Sequence, residues 1–220
     1  MVLSGEGRAF CAGLDMGRFV AMKESGGNGI AGGEKRDLAA RTHGLANLPQ
    51  HAVWGWRQLP VPVIAAIQGV AFGGGFQLAL GADIRLLAPD ARMSIMEIKW
   101  GLVPDMAGTP ILASLVRDDI LRELTFTGRI FSAPEALQYG LATRICDDPH
   151  TEAMQLAREI AGKSPDAIRA AKRMLNNLSV DPGPALLAES VEQQKLMGKP
   201  NQLEAVRANL EKRAPRFADV

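Results

Sequence analysis

The stretch Ile64-Ala65-Ala66-Ile67-Gln68-Gly69-Val70-Ala71-Phe72-Gly73-Gly74-Gly75-Phe76-Gln77-Leu78-Ala79-Leu80-Gly81 decides the fold. Its first apolar run follows Pro60 and Pro62 and has the pattern of a buried strand; after three glycines the apolar sequence resumes as a buried helix. The glycines clear side chains from the turn, so backbone can approach a ligand closely, and the first amides of the helix have no intrahelical acceptor. Such a corner favours negative charge. Phe10-Cys11-Ala12-Gly13-Leu14-Asp15 is built the same way, after the apolar strand of residues 1–5 and before a helical pattern at Phe19, Val20 and Met22. Open α/β sheets place ligands at the carboxyl ends of their strands. Two readings follow: either the amides of Leu14 and Gly74 converge on one oxygen as an oxyanion hole, or the glycines serve close helix–strand packing.

Working outward, residues 35–59 read as a helix with Trp54, Trp56 and Leu59 facing inward, ended by Pro60. Residues 83–88 and 93–96 read as strands, and residues 97–109 as an irregular loop lying against the body of the protein. Helices are predicted over 111–116 and 119–126, and Ser132 and Glu135 have capping-box spacing before the next helix. Residues 141–145 read as one more strand. Beyond residue 150 the alternation stops and the chain is almost wholly helical, so the predicted division is a core over 1–150 and a helical region over 151–220.

With 220 residues, 47% hydrophobic and 22% charged, the composition is that of an ordinary globular domain with a real core. A formal net charge of +1 and 5% aromatic residues give no footing for nucleic acid. Nothing in the composition suggests a membrane span or a signal peptide. Cys11 and Cys146 read as reduced, buried small residues, which points to the cytoplasm. His43, His51 and His150 lack metal-ligand spacing, no serine sits in a nucleophile elbow, and no Lys-Ser or Lys-Thr follows the glycines. Among the carboxylates near the corner, Asp83 and Asp90 have strand-start and turn explanations. Glu97, bracketed by Met96 and Ile98 at the end of an apolar strand, is either a surface residue or a desolvated carboxylate suited to a general base. Asp105 lies eight residues on and could share its pocket. Gln77 offers an amide to a ligand or faces solvent.

These residues resemble the crotonase, or enoyl-CoA hydratase/isomerase, superfamily. The pieces that carry the resemblance are residues 4–15 (SGEGRAFCAGLD), 62–69 (PVIAAIQG) with Gly73-Gly74-Gly75, 101–104 (GLVP), 124–128 (LTFTG) and the terminal 211–217 (EKRAPRF). The resemblance implies an α/β spiral of strand-strand-helix turns with a C-terminal helical region that packs trimers, often paired into hexamers, and an earlier strand, helix and strand ahead of the position of Met1. It implies an acyl-CoA substrate, with no cofactor beyond that CoA. The amides of Leu14 and Gly74 would hold the thioester oxygen, and Ala12, Gly13, Leu14, Asp15, Met16, Gly73 and Gly74 would line the CoA groove. Lys212 would reach the CoA phosphates from a neighbouring subunit.

Hydratases of the superfamily carry two glutamates, at positions matching 77 and 97. Here Gln77 replaces the first, whereas Glu97 matches the second and Asp105 matches an aspartate of dienoyl-CoA isomerases, which themselves carry aspartate at 77. The expectation is therefore an enzyme that isomerises acyl-CoA double bonds, with Glu97 and Asp105 moving protons. The alternatives are an enoyl-CoA hydratase, a non-catalytic acyl-CoA-binding member and a dinucleotide-dependent enzyme.

Overall fold

The computed structural model describes residues 1–15, 17, 38–178, 193, 195 and 199–218. The first strand, β1 (Val2–Ser4), is half-buried where the sequence suggests a buried one, because it lies at the edge of its sheet and has a neighbour on one side only. The helix expected over residues 35–59 is shorter. Residues 35–37 lie outside the described residues, and α1 spans Leu48–Gln58. A capping box sets its start: the Asn47 side chain accepts from the Gln50 amide at 2.9 Å, and Gln50 Oε1 accepts from the Asn47 amide at 3.0 Å. Trp54, Trp56 and Leu59 pack partly buried against the core, as the pattern suggests.

The decisive stretch forms two strands and a helix. β2 (Ile64–Ile67) is buried at all four positions, and the turn at Gln68-Gly69 passes the chain into a second sheet as β3 (Val70–Phe72). After the glycines comes α2 (Gly74–Leu80), buried on most of its surface. The same rise through two sheets recurs in β4 (Ile84–Leu87) and β5 (Arg92–Ser94), after which a 3-10 turn (Glu97–Trp100) leads into α3 (Gly108–Leu112) and α4 (Asp118–Thr127). β6 (Phe131–Ser132), α5 (Ala133–Gln138) and β7 (Arg144–Ile145) follow, with the predicted capping box present between Ser132 and Glu135. One sheet is parallel in the order β1-β2-β4-β7; the other runs β3-β5-β6, with β5 and β6 antiparallel. Successive strand-strand-helix turns thus stack into a spiral.

Between the sheets and α2 the core is alanine-rich, and its few large side chains interlock. Phe76 of α2 meets Phe131 of β6 edge to face at 5.5 Å, among Leu80, Leu87, Met93 and Ile95. On the outer face of the parallel sheet, α6 (Pro149–Ala161) covers Ile64, Ala66 and Leu86 with Ala153, Leu156 and Ile160. α7 (Pro165–Asn176) and α8 (Pro200–Leu210) complete the described helices. The expected helix near residue 19 lies outside the described residues. Both cysteines are free and half-buried, less enclosed than the sequence suggests. No described helix is long and apolar enough to cross a membrane.

Two close contacts fix this frame. Lys172 of α7 is 6% exposed, and its Nζ donates to the carbonyls of Trp56 (3.1 Å) and Val61 (2.9 Å) and to Asp83 Oδ2 (2.8 Å). The same Asp83 oxygen accepts from the Val63 amide at 2.8 Å, so one ion pair ties α7, the end of α1 and the entries of β2 and β4. Lys172→Met removes one partner of a largely buried pair and strands two carbonyls; unfolding in urea should show a loss of about 3 kcal/mol. In the second contact a side-chain carbon on Gly75 would stand 2.2 Å from the Cys11 carbonyl oxygen. Gly75→Ala forces the two loops apart, and a fall in stability of up to about 3 kcal/mol is expected in the same measurement.

Candidate active site

Backbone pairing brings the two glycine loops together. Phe10 and Cys11 donate to the carbonyls of Gln68 (2.9 Å) and Val70 (3.1 Å), and Phe72 donates back to Cys11 (3.1 Å). Residues 10–11 therefore run beside β3, and the chain leaves both strands in the same direction, into Ala12-Gly13-Leu14 on one side and Gly73-Gly74 on the other. Gly13 holds φ +93°, a conformation that disfavours a side chain, and a side-chain carbon there would lie 2.8 Å from the Phe72 carbonyl oxygen. The amide of Gly74 opens α2 and has no acceptor within that helix. Leu14 and Gly74 are each half-buried, with Ala12 and Asp15 exposed beside them.

Glu97 stands over this corner. It opens the 3-10 turn after β5 and does not close the strand as the sequence suggests, since ladder pairing stops at Ser94. The turn is anchored: the Leu102 amide donates to the Glu97 carbonyl at 3.1 Å, and Ser94 Oγ donates to the Gly128 carbonyl at 2.8 Å just beneath. A side-chain carbon on Gly73 would lie 3.6 Å from Glu97 Oε1, which places the carboxylate against the glycines.

Gln77 does not face solvent. It is 1% exposed, and three of the four hydrogen-bonding positions of its amide are taken within the protein. Nε2 donates to Glu97 Oε1 at 2.6 Å, while Oε1 accepts from the amides of Met106 (2.9 Å) and Gly108 (3.0 Å). Both partners of Oε1 are N–H donors, so the orientation of the amide is fixed by the network. The loop over residues 105–108 is bent around that oxygen. Ala107 adopts a left-handed conformation, φ +65°, unusual for a residue with a side chain, and the two hydrogen bonds hold it there.

This arrangement leaves Glu97 with two unlike oxygens. Oε1 is held by Gln77, whereas Oε2 is buried without a hydrogen-bond partner among the described residues. Burial pushes the carboxyl above its ordinary value; its own backbone amide and Gln77 pull it back, and the charge of Asp105 adds to the rise. Asp105 is raised too, chiefly by desolvation, although the residue lies exposed at the rim. Because Glu97 is raised in the folded state, it favours the fold at low pH, and that contribution is lost as pH rises through the folded value. Structure thus joins Gln77, Glu97, Asp105 and the two glycine loops. Met16 lies outside the described residues. Lys212 stands beyond α8, exposed and with φ +55°, and no described contact links it to Glu97. The Met106 and Gly108 amides belong to the site as well, and no pattern in the sequence pointed to them.

Similar proteins carry this fold. The crystal structure of an enoyl-CoA hydratase from Bacillus anthracis matches with a TM-score of 0.79 at 32% identity, over 98% of this chain and 80% of that one. Carnitinyl-CoA dehydratase of Proteus mirabilis is 35% identical over 226 residues, 98% of this chain and 80% of the relative. Human mitochondrial methylglutaconyl-CoA hydratase is 33% identical over 215 residues; they make up 94% of this chain, which spans only 59% of that relative. The family model described as enoyl-CoA hydratase/isomerase matches residues 1–220, and the chain belongs to that family.

Proposed function

We propose that the protein is an acyl-CoA double-bond isomerase in which Glu97 is the base. The observation that carries this reading is Oε2 of Glu97, buried and without a hydrogen-bond partner among the described residues, beside a neutral Gln77 whose oxygen and one N–H are already committed. In the proposed reaction on a 3-enoyl-CoA, Glu97 Oε2 takes a proton from C2. The C2–H electrons move into a dienolate whose negative oxygen is held by the amides of Leu14 and Gly74. The proton then returns at C4, and the double bond ends between C2 and C3. Donors aimed at an oxygen that gains charge stabilise the transition state more than the substrate. With a 3,5-dienoyl-CoA the proton is needed at C6, and Asp105, whose raised carboxyl favours the protonated form, would deliver it while Glu97 keeps the first.

In this reading Ala12, Gly13, Asp15, Met16 and Gly73 line the CoA groove, and Lys212 meets CoA phosphates in an assembly of three or six copies. A second reading, hydration, is favoured by the names of the relatives, which are hydratases and a dehydratase. It would require Glu97 and Asp105 to share the water and the C2 proton, because Gln77 has no acid to offer.

Purified protein offered 3-enoyl-, 3,5-dienoyl- and 2-enoyl-CoA in parallel decides between the two. The expected result is isomerisation of the first two with little 3-hydroxyacyl-CoA from the third, and a fall of about 10²- to 10⁴-fold in kcat for Glu97→Gln. Hydration that outruns isomerisation selects the second reading. Unchanged turnover in Glu97→Gln removes both.

A further inference from the structure

The first two glycines of the corner each face a side chain. A side-chain carbon on Gly73 would lie 3.6 Å from Glu97 Oε1, and one on Gly74 would lie 2.9 Å from Met106 Sδ and 4.0 Å from the Met106 methyl group. In a helix the bond from Cα to a side chain tilts toward the N-terminus, and Gly74 is the first residue of α2. The Met106 thioether therefore stands at the end of α2 that carries the free amides. Glu97 and Met106 bound the space over two consecutive glycines, and only one of the two moves protons.

Both walls hang on the same amide. Gln77 Nε2 donates to Glu97 Oε1 at 2.6 Å, while Gln77 Oε1 accepts from the amides of Met106 at 2.9 Å and Gly108 at 3.0 Å. The backbone at Met106 is thus fixed relative to the carboxylate. Its side chain is half-buried, packs against the core and ends at Gly74. Methionine is long and unbranched, so the room left beside the glycines depends on how far this one chain reaches.

We propose that Met106 determines which acyl groups the site admits: it passes straight chains and turns away those branched at C2, the carbon beside the thioester. The inference rests on the acyl-CoA reading above. With the thioester oxygen on the amides of Leu14 and Gly74 and C2 within reach of Glu97 Oε2, the first carbons of the acyl group lie over Gly73 and Gly74, between the two walls. A straight chain brings only hydrogens on C2 into that space. A methyl group on C2 adds a carbon where the thioether already lies against Gly74, and filled space accepts an extra carbon poorly.

Butyryl-CoA and isobutyryl-CoA are isomers that differ in this branch, and neither acyl group contains a double bond, so calorimetry reads their binding without turnover. The wild-type protein should bind butyryl-CoA at least about tenfold more tightly, the scale on which a pocket discriminates one carbon. Met106→Ala should bring the ratio of the two affinities close to one. Met106→Leu keeps the volume and should keep the ratio, which separates the reach of the side chain from any loosening of the loop. If Met106→Ala does not fold, Met106→Cys shortens the same wall by less and should lower the ratio. Equal affinity of the wild type for the two isomers, a ratio unchanged in the shortened variant, or a ratio lost in Met106→Leu overturns the inference while the acyl-CoA reading stands. Failure of both thioesters and of free CoA to bind the wild type overturns the two together.

Discussion

The hydrogen bond from Gln77 to Glu97 is the contact on which the site depends. One amide side chain, buried in the helix opened by the glycines, holds the carboxylate that follows β5 with its N–H₂ group and the loop over residues 105–108 with its oxygen. Three segments distant in sequence are fixed by one group that carries no charge. A glutamate in its place would put a second carboxyl 2.6 Å from the first, and two such groups share one proton and separate in pKa. With glutamine the carboxylate has no second acid hydrogen-bonded to it: burial and the charge of Asp105 raise it, and the bond from Gln77 pulls it back. Chemistry that needs a single proton-moving group suits this arrangement better than chemistry that needs two.

The spiral supplies the precision. Alanines and glycines where the sheets meet α2 let backbone approach backbone, as at Gly75 and Cys11, so the two loops leave adjacent strands side by side. Large side chains such as Phe76 and Phe131 then lock the stack from the other side. Small residues at the corner and large ones behind it serve one purpose, a rigid set of amides facing a fixed carboxylate. The Lys172–Asp83 pair fastens the helical region that follows onto the same frame.

Much of this was legible in the sequence because it is local. The strand, glycine turn and helix of residues 64–80 announce themselves by composition, the Ser132–Glu135 cap by spacing, and Glu97 by the apolar residues around it. What escaped depends on distant partners. β1 is half-buried because of its place at the sheet edge, which no feature of Val2-Leu3-Ser4 reveals. The helix thought to begin near residue 35 starts at Leu48, because the Asn47–Gln50 box outweighs the periodicity before it. Gln77 looked like a solvent-facing or ligand-facing amide; its partners lie 20, 29 and 31 positions away, beyond the reach of pattern reading.

Titration of the Glu97 carboxyl tests the central claim most directly. In ¹³C-labelled protein its signal is assigned by its loss in Glu97→Gln, and its midpoint is compared with that in Gln77→Met, which keeps the volume and removes the donor. The account predicts a wild-type midpoint above the ordinary glutamate value of 4.5, because burial outweighs the hydrogen bonds. It predicts a still higher midpoint in Gln77→Met, because the lost bond had favoured the ionised form. A wild-type midpoint at or below 4.5, or a downward shift in the variant, would contradict it.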